Sequence, residues 1–272
     1  MRKFYAESTL ARKYAATGIP RETIEKVRTT LDACAAFYRL LPEKDVRIIL
    51  KHFCGITSEQ FDRLLPIFYR DEDLDCGLEY ESEFFEDGSK EKIMLYDYDL
   101  TLRFLNLSDP KVRREYFSPG PKSERRPLVE ENYEDFYKLY REVRKKPIYI
   151  PADLLKYNDY FYYEDTPQAR AMIAFIRDNL NLKAGKKSTR KFLLEPPVEA
   201  LIEIIELIRF GSVGPAMNYQ GAVEKLKAVG YEVGTVTVME QFAQLFSELI
   251  NNTRTPFNRG YTPVEIRKKL GE

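Results

Sequence analysis

The segment from Pro147 to Leu182 constrains this chain most, because it joins an extended aromatic stretch to a strongly signalled helix. Five aromatic residues cluster within seven positions of it, at Tyr157, Tyr160, Phe161, Tyr162 and Tyr163. Thr166 and Pro167 then supply an N-cap and a first-turn proline, and apolar residues recur behind them at helical spacing. The cluster predicts a core joint where two halves of the chain meet. Because tyrosine has a polar tip, a recognition surface is the alternative.

Helical periodicity of apolar residues also dominates the N-terminal part of the chain. It predicts helices over 4–16, 20–41 and 42–55, and a further helix that begins at Thr57. Thr57 and Gln60 have the spacing of a capping box, in which each side chain bonds the backbone of the other residue.

Two β-leaning runs follow these helices. Residues 78–85 and 93–98 flank Gly88, which with its polar neighbours is a turn signal, so the sequence predicts a β hairpin. The last three of these helices followed by a hairpin have the order of a winged helix. The N-terminal part is therefore predicted to be a helical, winged-helix-like domain with a small β hairpin.

The C-terminal part is predicted to be a helical bundle. Pro197 opens a helix that is apolar on most of its circumference, as expected for the central helix of a bundle. Thr237 with Glu240 and Thr262 with Glu265 predict capping boxes for two later helices. Residues 118–131 mix prolines and a glycine with charges, which is linker composition. The fold class is thus mainly α, with domains at 1–117 and 132–272 joined by a linker at 118–131.

Composition limits the classes of function. Lysine plus arginine equals aspartate plus glutamate, 43 each, whereas a general nucleic-acid binder usually has a basic excess. No apolar run is long enough to cross a membrane, and the first residues lack the apolar core of a signal peptide. We expect a cytoplasmic protein with no membrane partner, and its three cysteines fit that compartment.

Acidic residues concentrate between Asp71 and Asp99, where only two bases, Lys90 and Lys92, occur. Alternation from Leu78 to Phe84 places the acids on one face of a strand and the apolar residues on the other. This pattern is typical of a solvated strand face. The alternative is an acidic surface that binds a basic protein partner or mimics nucleic-acid phosphates. The predicted partner-binding residues are Glu79, Glu81, Glu83, Glu86 and Asp87.

Basic residues concentrate between Lys183 and Lys191. A charge run of this kind is usually a solvated loop, but it is also the best candidate in the chain for contact with nucleic acid. The candidate nucleic-acid-binding residues are Lys183, Lys186, Lys187, Arg190 and Lys191.

The residues most often used in catalysis are sparse. His52 is the one histidine, and its place near a helix end favours a structural role. Cys34, Cys54 and Cys76 lack the paired spacing of a zinc site and are interpreted as buried free thiols. No phosphate-binding loop or nucleophile elbow is present. We therefore predict no catalytic residue, no metal and no cofactor.

Polar residues crowd the C-terminal loop from Asn251 to Tyr261. Side chains of this kind commonly join a loop to neighbouring helix ends, which is the favoured interpretation. Because polar loop residues also carry function, a binding site is the alternative.

Two segments resemble a known family. PIYIPADLLKYNDYFYYEDTPQARAMIAFI and INNTRTPFNRGYTPVEI are similar to stretches of uncharacterised bacterial SEC-C motif-containing proteins. The resemblance covers Lys145 to Ile266 and implies a mainly helical bacterial protein, without implying a reaction. The cysteine-rich zinc motif of that family is not found in this sequence, and no catalytic residue carries over.

Together these patterns predict a non-enzymatic protein-binding adaptor or regulator that acts through the acidic hairpin and the aromatic and polar loops. A nucleic-acid-binding regulator that uses the basic loop at 183–191 is the alternative. An enzyme ranks third, because the sequence supplies no recognisable nucleophile and base.

Overall fold

The computed structural model describes residues 4–81, 93–97, 140–182, 194–211, 219–232 and 234–271. The fold is mainly α with a small antiparallel sheet, as the sequence predicts. Contacts divide the chain into two compact units, Met1–Asn158 and Asp159–Glu272. Within the described ranges, no helix is long and apolar enough to cross a membrane.

The predicted linker at 118–131 lies outside the described residues, so that boundary stays a prediction. The described contacts place residues 140–158 in the first unit, which therefore continues past the predicted linker.

Four helices lead unit 1: α1 at Glu7–Ala16, α2 at Arg21–Tyr38, α3 at Glu43–Cys54 and α4 at Ser58–Phe68. The helix predicted from Thr57 is confirmed, because Thr57 and Gln60 form both bonds of a capping box. At the end of α3, Gly55 adopts a left-handed conformation with φ of 68°, which glycine reaches without steric cost.

The sheet of unit 1 has three strands: β1 at Leu40–Pro42, β2 at Cys76–Tyr80 and β3 at Ile93–Asp97. β3 lies in the middle and pairs antiparallel with both neighbours, so Leu95 stands opposite Leu41 and Leu78. The predicted antiparallel pairing is confirmed, although β2 is shorter than the predicted run at 78–85. The turn at Gly88 lies outside the described residues.

The C-terminal end of α2 departs from prediction. The sequence predicts a helix through Leu41, but Arg39 adopts a left-handed conformation with φ of 62° and ends the helix. Leu40 then begins β1, which the sequence did not predict. Unit 1 thus follows the order α2, β1, α3, α4, β2, β3, which is compatible with a winged helix.

Residues 147–158 form a strap along α2 and end in a 3-10 helix at Leu154–Asn158. Tyr38 donates its hydroxyl to the Tyr149 carbonyl at 2.7 Å, and the rings of Phe37 and Tyr157 lie 4.2 Å apart between centroids. At the far end, the Asn158 amide donates to the Thr29 carbonyl at 3.0 Å. These contacts hold the strap against α2 between Thr29 and Tyr38.

The aromatic cluster does not form one buried joint. Tyr157 is buried in unit 1, whereas Tyr160 belongs to unit 2 and leaves 47% of its surface exposed. The chain passes from one unit to the other between them. The core interpretation is thus confirmed for Tyr157 and wrong for Tyr160.

Unit 2 is the predicted helical bundle, with α5 at Pro167–Asn179, α6 at Pro196–Gly211, α7 at Tyr219–Val229, α8 at Val236–Asn252 and α9 at Pro263–Leu270. Two short strands, β4 at Asn181–Leu182 and β5 at Tyr231–Glu232, pair antiparallel. α6 packs against both α5 and α7, as its apolar circumference predicts, and α5 also packs against α8.

Two of the three helix caps predicted in unit 2 are confirmed. The side chain of Thr166 accepts a hydrogen bond from the Ala169 N–H, and Thr262 with Glu265 forms a capping box. The capping box predicted at Thr237 and Glu240 is wrong. α8 begins at Val236, one residue before Thr237, so neither residue stands at the position that a cap requires.

Candidate functional site

The residue directly after β2, Glu81, has a buried carboxylate. Glu81 is only 6% exposed, its Oε1 accepts a 2.6 Å hydrogen bond from the Tyr140 hydroxyl, and the Arg144 guanidinium lies 3.7 Å away. The prediction that strand alternation points Glu81 to water is wrong, because β2 ends at Tyr80 and the alternation ends with it. Glu81 therefore cannot belong to an exposed partner surface.

Burial raises the pKa of Tyr140, and the hydrogen bond to Glu81 raises it further. The phenol therefore stays protonated at neutral pH and continues to donate to the carboxylate. A buried, paired carboxylate of this kind holds residues 140–145 against the end of β2, which is a structural task.

The other predicted acidic residues are placed only in part. Glu79 pairs with Met94 in the ladder between β2 and β3. Glu83, Glu86 and Asp87 lie outside the described residues, as do Lys183, Lys186, Lys187, Arg190 and Lys191 of the basic loop. Their roles stay predictions.

α4 is the helix that the winged-helix prediction makes the recognition helix, and it exposes two carboxylates. Glu59 and Asp62 are exposed. Arg63 is the one basic residue in α4, and it donates to the Thr17 carbonyl at 2.7 Å. Arg47 of α3 donates to Asp62 at 2.6 Å and also to Glu43. The cations beside these carboxylates are thus committed to partners within unit 1.

The connection from α4 to β2 adds further carboxylates. Glu72, Asp73 and Asp75 are exposed there, whereas Asp71 is buried. Asp71 accepts hydrogen bonds from the Tyr14 hydroxyl at 2.5 Å and from Arg28. Burial, followed by the bond to Asp71, raises the pKa of Tyr14. Asp71 thus ties α1 and α2 to this connection, while its neighbours carry negative charge into solvent.

A partly buried carboxyl group, that of Asp32, lies beside Cys76. Burial raises the pKa of Asp32 to about 6, and the negative charge of Asp75 adds to the effect. Hydrogen bonds from the Cys76 thiol and the Asp75 backbone oppose it. The sequence did not single out Asp32, because its environment comes from residues more than forty positions away.

The cysteines are free thiols, as interpreted from the sequence, and the predicted burial is confirmed for Cys34 and Cys76 but wrong for Cys54. Burial raises the pKa of Cys34 and of Cys76 well above the ordinary value, so both are neutral and poor nucleophiles. Cys54 is only partly buried and lies 3.3 Å from the Thr30 hydroxyl. Across the described ranges, no three His, Cys, Asp or Glu side chains are arranged to hold a metal ion.

His52 lies in the last turn of α3, where its ring meets the Phe53 ring edge-on at 4.8 Å between centroids. The described structure places no nucleophile or carboxylate against it to form a catalytic set. Its exposed position at a helix C-terminus fits the structural role that the sequence indicates.

The C-terminal loop of unit 2 is held together by Arg254. Its guanidinium donates to Glu164 at 2.9 Å, to the Gly260 carbonyl at 3.1 Å and to both Glu265 oxygens at 2.6 and 3.2 Å. Burial opposes ionisation of Glu265, but bonds from the Thr262 backbone and from Arg254 outweigh it and lower its pKa. The loop thus joins the start of α5 to the start of α9.

Asn251 and Asn252, which were predicted to begin this loop, instead lie in the last turn of α8. The Asn251 amide donates to the Ser247 carbonyl and its oxygen accepts from Arg267, while Asn252 donates to the Glu248 carbonyl. These contacts favour structural use of the loop over a binding site, as interpreted from the sequence.

Comparisons with protein-family models, with curated proteins and with solved structures find no significant match to this chain. The resemblance of residues 145–266 to SEC-C motif-containing proteins therefore stays a prediction.

Proposed function

We propose that this protein is a non-enzymatic adaptor or regulator that binds another protein through acidic surface of unit 1. The carrying observation is the charge of α4. A DNA-binding winged helix presents lysine and arginine from this helix, because phosphate contacts supply most of the affinity. Here the helix exposes Glu59 and Asp62, of which Asp62 is paired with Arg47 of α3, and its one basic residue, Arg63, donates to the Thr17 carbonyl.

The acidic residues of the predicted hairpin would add negative charge to this surface. With Glu81 removed from the set by its burial, the proposed partner-binding residues are Glu79, Glu83, Glu86 and Asp87. The exposed carboxylates of Glu72, Asp73 and Asp75 precede them along the chain. A field of one sign accelerates encounter with a partner of the opposite sign and selects against other partners. The partner therefore has a basic surface.

The test begins with affinity capture on the full chain from its native host, followed by identification of both protein and nucleic acid. Association with the recovered protein is then measured over a range of salt concentrations. We expect the variant Glu79→Gln, Glu83→Gln, Glu86→Gln to associate several-fold more slowly and with a flatter salt dependence, because screening acts over about 8–10 Å.

The matched control neutralises three exposed carboxylates of α1 and α2, with Glu7→Gln, Glu22→Gln and Glu25→Gln. It should leave the rate and its salt dependence unchanged. Equal behaviour of the two variants would show that the acidic face is only solvated. Recovery of nucleic acid, with binding lost on changing Lys186, Lys187, Arg190 and Lys191 to Ala, would instead support the nucleic-acid-binding alternative.

A further inference from the structure

The outer face of α3 carries charge of the opposite sign. The helix buries one face in unit 1 and exposes the residues spaced i, i+4, i+7 and i+8 on the other, so these residues share one stripe. We call it the basic stripe, and it consists of Lys44, Ile48, Lys51 and His52.

Ile48 is the apolar centre of the basic stripe. Half of its surface, 50%, is exposed, although the helix has a well-formed apolar face elsewhere. A single exposed isoleucine is common on protein surfaces, so the stripe is informative only through the charges beside it.

The two lysines of the basic stripe are not engaged by the described part of unit 1. Neither Lys44 nor Lys51 has an ion pair among the described residues, whereas Arg47, on the edge of the same helix, bonds Glu43 and Asp62. The stripe thus offers two ammonium groups about seven residues apart on a helix, or about 10 Å, with an apolar side chain between them.

We infer that the basic stripe binds an acidic peptide segment of a protein partner, with carboxylates over Lys44 and Lys51 and an apolar side chain on Ile48. Charge complementarity supports this occupant over a nucleic-acid backbone. A duplex presents closely spaced phosphates along its length. Such a ligand would also meet Glu43 and Asp62, which bond Arg47 on the edge of α3, whereas a peptide places its carboxylates at chosen positions.

The basic stripe is distinct from the acidic residues of the proposed function and does not depend on them. An adaptor needs two surfaces, and unit 1 would then supply one for a basic partner and one for an acidic partner. The two proposals involve different residues, so a failure of one leaves the other open to its own experiment.

The test uses a phage-displayed library of random peptides selected on the full chain, followed by measurement of affinity for the enriched peptides. We expect enriched sequences to carry aspartate or glutamate on both sides of an apolar residue. Lys44→Glu with Lys51→Glu should weaken their binding by more than about tenfold through like-charge repulsion. Ile48→Ala should weaken it by about fivefold through lost apolar contact.

The matched control is Arg21→Glu with Lys26→Glu, which makes the same charge change at exposed positions of α2. It should leave peptide affinity unchanged, and circular dichroism should show that all variants keep their helical content. Enrichment of peptides without acidic residues, absence of enrichment, or equal loss in the control would overturn the inference. The inference would also be overturned if the chain bound a 25-base-pair duplex tightly, or associated with itself, and if Lys44→Glu with Lys51→Glu abolished that binding.

Discussion

Tyr140 donates its hydroxyl to the buried carboxylate of Glu81 at 2.6 Å, although 59 positions separate the two residues in the sequence. The sequence predicted that Glu81 faces solvent, whereas in the structure its carboxylate makes a buried contact with Tyr140. It explains why an acidic residue in a strongly acidic segment is withdrawn from solvent, because the phenol and the nearby Arg144 offset the cost of burying its charge.

Tyr140→Phe should lower the free energy of unfolding by about 1–3 kcal/mol, because the Glu81 carboxylate stays buried but loses its closest donor. Urea denaturation followed by circular dichroism measures the change. Tyr160→Phe is the control, since 47% of Tyr160 is exposed, and it should change stability by less than about 0.5 kcal/mol. Equal stability of the two variants would contradict a structural role for the Glu81–Tyr140 bond.

Asp32→Asn should stabilise the protein at neutral pH. The folded carboxyl has a pKa of about 6 and the unfolded one a pKa of about 4, so between these values the folded state holds more protons. The free energy of unfolding of the native sequence therefore falls as pH rises through this window. The variant should gain about 1–2 kcal/mol at pH 7, discounted for partial exposure, and little below about pH 4.

Asp75→Asn provides the second arm of this experiment. It removes the negative charge that helps to raise the pKa of Asp32. It should therefore give part of the stability gained in Asp32→Asn, while the carboxyl group of Asp32 remains. Thermal unfolding between pH 3 and pH 8 measures both variants. If the stability of Asp32→Asn changed with pH in the same way as that of the native sequence, the pKa of Asp32 would not be raised in the folded state.

Thiol reactivity should separate the three cysteines. In the native protein at pH 8 we expect Cys54 to react with Ellman's reagent first, because Cys34 and Cys76 are buried and their thiols stay protonated. All three should react at once in guanidinium chloride. Cys54→Ser is the control and should remove the early native phase. Early reaction of two or more thiols would contradict the burial.

Arg254→Lys should lower the free energy of unfolding by about 2 kcal/mol, because an ammonium group cannot reproduce the forked contacts to Glu265, Glu164 and the Gly260 carbonyl. Thr262→Ala, which removes only the cap of α9, should cost about 1 kcal/mol. Chemical denaturation of the full chain compares them. A smaller loss for Arg254→Lys than for Thr262→Ala would show that the forked contacts contribute little.

The sequence by itself determined most of the features that depend on near neighbours, although the cap predicted at Thr237 and Glu240 is wrong. Thr57, Thr166 and Thr262 cap helices as predicted, because a capping bond joins residues only three positions apart. The apolar circumference of α6 likewise predicted its central place in unit 2, since burial of a face follows directly from its composition.

Only the tertiary structure decided the features that depend on distant partners. Arg39 takes a left-handed conformation and Leu40 begins a strand because β3, more than fifty residues later, is present to pair with it. Glu81 is buried because Tyr140 reaches it, and the carboxyl of Asp32 has a raised pKa because Asp75 lies nearby. Local propensity is a property of adjacent residues, whereas the burial of a charge depends on which remote groups the fold brings to it.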